Sequence, residues 1–174
     1  MLPLFIPLLP LYIMFHGKFI YLSTVMDLFT REILGWSIAN NHERYLVIDA
    51  LNMAISKTWV LPRYHHSDQG SEYDSNDYIK ILSDNKIIVS MSKKGHLWEN
   101  GFQESSYSQF KVDLGRPDQY ETLGELIEAI YLHINYYNKN RIHTTLKTSP
   151  IKFRDQYYLK SLTISSPQRQ RQLV

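Results

Sequence analysis

An α/β fold, with a mixed sheet and helices on both of its faces, is expected for this chain from three features of its sequence. Three extended, aromatic and β-branched segments come first, the first two joined by a tight turn. Apolar residues then switch to helical spacing. After that, short strand-like runs alternate with helix-like ones. At 174 residues, with 44% hydrophobic and 21% charged, the chain suits one domain with a real core.

Met1 to Phe15 carries no charge and has prolines at 3, 7 and 10. It is too short, and too broken by proline, to cross a bilayer as a helix. It also lacks the charged region and cleavage site of an export signal, so no membrane role is expected. A buried strand over about 8–15 with an irregular lead-in is expected instead. His16-Gly17 reads as a hairpin turn into a second strand, Lys18 to Phe29, and Arg31 to Ala39 reads as a third. Glu43 to Lys57 places Leu46, Ala50, Met53 and Ala54 on one helical face, with Asn41 available as a cap. Arg63 to Ser67 is a short strand running into Asp68-Gln69-Gly70. A helix over Ser75–Asn85 turns Tyr78, Ile81 and Leu82 inward, and Lys86 to Met91 is a fifth strand. Lys93-Lys94-Gly95 is a basic loop. Helices over Glu99–Leu114 and Glu121–Asn138 follow, the second with Leu123, Ile127, Ile130, Ile134 and Tyr137 as its apolar stripe. This order is compatible with a ribonuclease-H-like fold and with other α/β folds.

There is no cysteine, which excludes disulfides, thiolate zinc sites and a cysteine nucleophile, and fits a cytoplasmic location. Net charge is only +2. Its distribution is uneven, because from Lys139 onward eight residues are basic and only Asp155 is acidic. Such a segment suits a phosphate backbone, or is a solvated tail.

Asp68 stands where a strand meets a glycine-containing turn, the usual place for ligands in α/β folds. It is a candidate metal ligand, since hard cations such as magnesium take carboxylate oxygens; the competing reading is a turn aspartate bonding its own backbone. His65 and His66 point to opposite faces of a strand, so both cannot easily join Asp68 on one ion, and one of them is expected to be a packed core residue or to support a ligand from behind. Glu104 follows after 35 intervening residues, with Ser108 and Lys111 four and seven positions on along the same helical face. A carboxylate, a hydroxyl and an ammonium in line could hold a metal and steer a phosphate, although a lone helical glutamate is more often solvated.

Four segments together resemble the integrase-core transposases of bacterial insertion sequences, relatives of retroviral integrases: Tyr21–Trp36, His65–Tyr73, Ser90–Lys111 and Tyr136–Pro150. They cover about residues 12–155 in the family's order and spacing, leaving 1–11 as a non-matching apolar lead-in and 156–174 as a basic tail. The resemblance implies a ribonuclease-H-like fold whose two aspartates and one glutamate bind magnesium, with manganese as an alternative, for phosphoryl transfer on DNA. Asp68 matches the second acid and Glu104 the third. Lys111 matches a lysine that contacts element-end DNA, and Arg141 and His143 belong to a Tyr-Tyr-Asn-x-x-Arg-x-His signature. With Lys93 and Lys94 of the basic loop, these form the expected DNA-contacting set. The implied partners are element-end and target DNA and another transposase subunit, as a homo-oligomer.

The first acid is missing. The family places it three residues before the tyrosine that matches Tyr12, a position held here by Leu9 in a degenerate first strand. Asp27 is a poor replacement, because position 9 pairs near 24 across the hairpin and 27 lies about 10 Å further on. The chain is therefore expected to be inactive or impaired, as a truncated or frameshifted copy lacking the helix-turn-helix region of full-length members. The competing expectation is a non-catalytic DNA-binding remnant; a plain ribonuclease-H-like nuclease is disfavoured by the Tyr137–His143 signature.

Overall fold

The computed structural model describes residues 4–41, 44–58, 60–67, 73, 75–91 and 107–164, apart from the side chains of residues 8, 9, 91 and 161–164. Strand β1 (Leu4–Phe15) pairs antiparallel with β2 (Lys18–Asp27). His16 (φ 44°) and Gly17 (φ 74°) are both left-handed, as a two-residue hairpin turn requires. On one side β2 pairs antiparallel with β3 (Ile33–Ala39). On the other, β1 pairs in parallel with β4 (Tyr64–Ser67), and β4 in parallel with β5 (Ile88–Met91). The sheet order β3-β2-β1-β4-β5 is the expected mixed sheet.

The strand begins at Leu4, earlier than its sequence indicates, and its irregularity is a β-bulge. Between the pairs Leu8↔Thr24 and Leu11↔Leu22, β1 advances three residues and β2 only two, so Leu9 and Pro10 oppose Ser23. Pro10 has no N–H to offer the ladder, and a bulge is one of the few sheet positions that tolerate it. The extra residue reverses the faces. Phe5 packs into the core on one side, whereas Leu11 and Ile13, of the same parity, pack into the core on the other.

Helices α1 (Arg44–Lys57) and α2 (Asn76–Asp84) cover the Phe5 face, where Leu51, Ala54, Tyr78 and Leu82 meet Phe5, Val25 and Leu34. Met53 is half-buried rather than inside, and Ile81 packs at the margin. The residues immediately before α1, 42 and 43, lie outside the described residues, so a cap from Asn41 is not part of this account. α2 starts at Ser75, whose hydroxyl accepts from the Tyr78 N–H.

Helical residues 107–114 (α3) and helix α4 (Leu123–Lys139) cover the opposite face, packing Phe110, Leu114, Leu126, Ile130 and Ile134 on Leu11, Ile13, Ile20 and Leu22. A capping box between Thr122 and Glu125 starts α4. Its buried stripe corrects the sequence expectation. It runs through Leu126, Ile130, Ile134 and Asn138, while Leu123 is exposed and Ile127 and Tyr137 are half-buried. Asn138 turns inward because its side-chain amide pairs with the Ile33 backbone, accepting from its N–H and donating to its C=O at 2.9 Å each. Ahead of α4, a 3₁₀ turn (Pro117–Gln119) braces the hairpin: Asp118 accepts from the His16 N–H at 2.6 Å.

Helix α5 (Pro150–Ile164) opens on proline and runs through the boundary expected between residues 155 and 156. Phe153 and Tyr157 both meet the Phe29 ring, and Arg154 donates from its single Nη1 to both Glu32 carboxylate oxygens at 2.8 and 2.9 Å. Burial holds the Glu32 carboxyl above its ordinary range in spite of Arg154, so the pair orients α5 more than it stabilises the fold. Among the described residues, no helix is long and apolar enough to cross a membrane.

The two neighbouring histidines face opposite ways, as strand alternation requires. His66 Nδ1 bonds Ser90 Oγ at 3.0 Å. His65 is fully buried and shares a 2.8 Å hydrogen bond with the Tyr78 hydroxyl, while its Nδ1 has no partner among the described residues. Burial pushes the His65 imidazole down from 6.5 to about 4. The unfolded chain therefore takes up a proton near pH 6.5 that the folded chain refuses until about pH 4. Its stability contribution is complete above that upper value and falls as pH drops through the window. Between pH 7 and pH 5 the loss is about 2 kcal/mol. Urea unfolding at both pH values should show it, and a His65→Phe variant should lose that part of the slope.

Candidate catalytic centre and nucleic-acid interface

The two candidate metal ligands, Asp68 and Glu104, and the loop cations Lys93 and Lys94 lie outside the described residues. Their flanks are described. Ser67, the residue before Asp68, ends β4; counting on from Phe5↔His65, it lies level with Pro7 of β1. Three residues after Glu104, Tyr107 bonds Thr24 at 3.2 Å through its hydroxyl, and Thr24 pairs with Leu8. The flank of Glu104 is thus tied to β2 at the partner of Leu8, and the flank of Asp68 ends the strand that pairs with the start of β1. Burial keeps the Tyr107 phenol neutral by raising its pKa, so this tie is a neutral hydrogen bond that anchors the start of α3 against β2. Among the described residues, no group of three or more His, Asp or Glu side chains is placed to hold a metal ion.

Asp27 is structural. Its Oδ1 accepts from the N–H groups of Leu4 and Phe29, and its Oδ2 from the N–H and hydroxyl of Thr30. The carboxylate closes the turn after β2 and is saturated by it. It pairs with Phe5, four residues from position 9. Asp27→Ala is expected to cost about 2–3 kcal/mol, since buried donors lose their acceptor. Chemical denaturation measures this; an unchanged midpoint would contradict the structural assignment.

The described cations of the expected DNA-contacting set fall in two places. Lys111 is exposed on α3, on the same outer face as Ser108. Arg141 and His143 line a cavity of about 370 Å³ with Arg31, His133, Tyr137, Thr144 and Thr145. Asp113 holds Arg141 at 3.1 Å and lies 3.9 Å from His133. Burial, and then the charges of Arg31 and Arg141, hold the His143 imidazole below its ordinary range. In the Tyr-Tyr-Asn-x-x-Arg-x-His signature, then, Asn138 braces β3 while Arg141 and His143 turn to the cavity. Arg31 escapes a sequence reading, which sees only a residue near a strand connection; no local pattern announces that the turn aims it at α4.

Two descriptions of an integrase core domain match this chain, one over residues 6–96 and the other over residues 104–158. The chain belongs to the integrase core domain family. It is 36% identical over 129 residues to the transposase for insertion sequence element IS904 of Lactococcus lactis subsp. lactis, covering 73% of this chain and 51% of that one. It is 34% identical over 142 residues to an uncharacterized transposase-like protein of Haemophilus influenzae, covering 81% and 65%. This integrase core chain thus spans about half to two thirds of the length of such relatives. Among solved structures, the HTLV-2 integrase catalytic core domain in complex with magnesium, in its dimeric form, superposes with a TM-score of 0.70 at 16% identity, covering 88% of this chain and 97% of that one. A chain of the simian T-cell lymphotropic virus intasome, in complex with PP2A regulatory subunit B56 gamma, gives 0.75 at 13%, covering 86% and 53%. At these identities the likeness establishes the fold, which is the ribonuclease-H-like α/β fold expected from the sequence.

Proposed function

We propose that this chain is the core of an insertion-sequence transposase that works on DNA by metal-dependent phosphoryl transfer, with Asp68 and Glu104 as metal ligands, and that Leu9 in place of the first acid leaves it impaired. The observation that supports this reading is that β4, which ends at Ser67, pairs with the start of β1, while Tyr107 is tied to Thr24, the partner of Leu8 in β1. The donor chemistry fits magnesium, with manganese as an alternative, because carboxylate oxygens are hard ligands and such ions keep several waters. When bound, the metal supplies activation of the attacking oxygen and neutralises charge at phosphorus. The chain's own part is to supply the carboxylates one residue past the end of β4 and three residues before Tyr107 of α3, and to hold DNA through Lys93, Lys94, Lys111, Arg141 and His143. The partners in this reading are element-end and target DNA in the cytoplasm and further copies of a transposase subunit in a homo-oligomer.

Manganese, titrated into the isotope-labelled chain, tests the ligand assignment without requiring turnover. Paramagnetic broadening is expected at Ser67 and Tyr107, and Asp68→Asn or Glu104→Gln should weaken the binding by about tenfold or more. No broadening there, or broadening indifferent to both substitutions, removes Asp68 and Glu104 as ligands. A second reading, a DNA-binding remnant without catalysis, is favoured by the cationic cavity at Arg31, Arg141 and His143.

A further inference from the structure

The cavity between the β2–β3 turn and the end of α4 has the make-up of an anion site. Its lining includes two guanidiniums, Arg31 and Arg141, two imidazoles and two threonine hydroxyls, and, among the described residues, no carboxylate. Among the described residues, the acid paired with this lining is Asp113, which bonds a single Arg141 guanidinium nitrogen at 3.1 Å and leaves the rest of the fork for another acceptor. His143 Nδ1 is buried and has no hydrogen-bond partner among the described residues. The volume, about 370 Å³, is in the range of pockets that enclose a ligand group.

Arg31 is placed there at a cost. Its φ of 63° is left-handed, a conformation that a side chain with a Cβ rarely adopts. The Asp27 carboxylate and the Arg31 N–H bond to the Asp27 carbonyl, at 2.7 Å, hold the turn in that shape. Strain of this kind, maintained by a saturated buried turn, is a feature of sites where one side chain must point in a fixed direction.

We infer that this cavity seats a backbone phosphodiester of DNA, with Arg31 and Arg141 as its charged donors and Thr144, Thr145 and His143 completing the cradle. The inference rests on the reading of DNA as the partner and extends it to a site away from the metal ligands. Arg31 is its new member. A phosphodiester is singly charged and offers two free oxygens, which match two guanidiniums better than a dianion would match a site already containing Asp113 nearby. Binding also has a protonation signature. The groups facing His143 are Arg31 from the β2–β3 turn, His133 and Tyr137 from α4, and Arg141 from its own segment, with Asp113 of α3 acting through Arg141. An anion entering among them offsets the two guanidinium charges, so the His143 pKa must rise and binding must tighten as pH falls.

The test is fluorescence anisotropy of a fluorescein-labelled DNA duplex with the full chain in EDTA, over a series of salt concentrations. Arg31→Asn removes the charge with a residue that tolerates the left-handed region. It is expected to weaken binding at least about fivefold and to lower the salt slope by about one, while Lys18→Gln, on the exposed hairpin, leaves the slope unchanged. A folded Arg31→Asn chain with unchanged affinity and slope overturns the site, as does a wild-type chain that binds no DNA at low salt. Should the variant fail to fold, the His143 ring signals of the wild-type chain decide: a pKa raised by the duplex supports the site, and an unmoved one overturns it. Because metal is absent throughout, failure here is separable from failure of the manganese titration, which reads Asp68 and Glu104 alone.

Discussion

Leu9→Asp is expected to raise metal-dependent cleavage of plasmid DNA by about a hundredfold or more over the chain as it stands. Misplacing a reacting group by about an ångström costs on the order of that factor, and a missing ligand leaves the metals without one fixed point. Position 9 lies in the bulge of β1, opposite Ser23, on the strand whose start pairs with β4. A carboxylate there would stand on a strand hydrogen-bonded on both sides of the bulge, the rigid support that metal chemistry requires. The comparison is made in magnesium and again in manganese, with an intact insertion-sequence transposase run in parallel. A Leu9→Asp chain that stays folded and gains nothing, beside a working relative, would show that the missing acid belongs elsewhere. Asp27→Asn in the same background should leave any gain intact, because that carboxylate is occupied by the turn it closes.

Much of the fold was legible because its signals are local. The hairpin at His16-Gly17, the strand ending at Ser67, and α2 with Ser75 before it each show in a handful of residues through turn chemistry or hydrophobic period. The opposed histidines were legible too, since alternation alone separates His65 from His66. The bulge was not. A run such as Leu4–Phe15 is apolar on both faces, so it contains no parity from which to read a one-residue slip. The face of α4 was misread for a related reason. Counting apolar residues favours Leu123 and Ile127, whereas a polar one, Asn138, is drawn inward by the Ile33 backbone 105 residues away. Of the site, Asp68 and Glu104 stood out as candidate ligands from their local setting and were matched to catalytic acids only through family resemblance, as Arg141 and His143 were to the signature. Arg31 joins them only once the turn at Asp27 and the end of α4 are brought together in space, and a linear pattern has no term for that.

Gly35→Ala is expected to destabilise the chain by more than about 3 kcal/mol, past the usual cost of overpacking a core. A Cβ at this position would run into the Ala50 carbonyl oxygen and would lie 2.7 Å from the Ala54 nitrogen and 3.0 Å from the Ala54 Cβ. Two of those three atoms are backbone of α1, so no side chain can swing aside; the helix itself must lift. Ala50 and Ala54 are fully buried, one turn apart, and with Gly35 they let α1 lie directly against β3. Lifting it would open the cluster of Leu51, Tyr78 and Leu82 around Phe5. The same substitution at Gly124, in the first turn of α4, meets nothing nearer than the Thr122 hydroxyl at 3.8 Å. There alanine should stabilise by up to about 1 kcal/mol through its helix preference. Thermal unfolding of the two variants side by side separates space from propensity. Equal midpoints would mean that α1 does not rest on Gly35. If it does, the β1 strand that carries position 9 depends on this contact, because Phe5 at one end of β1 packs in the same cluster that α1 closes.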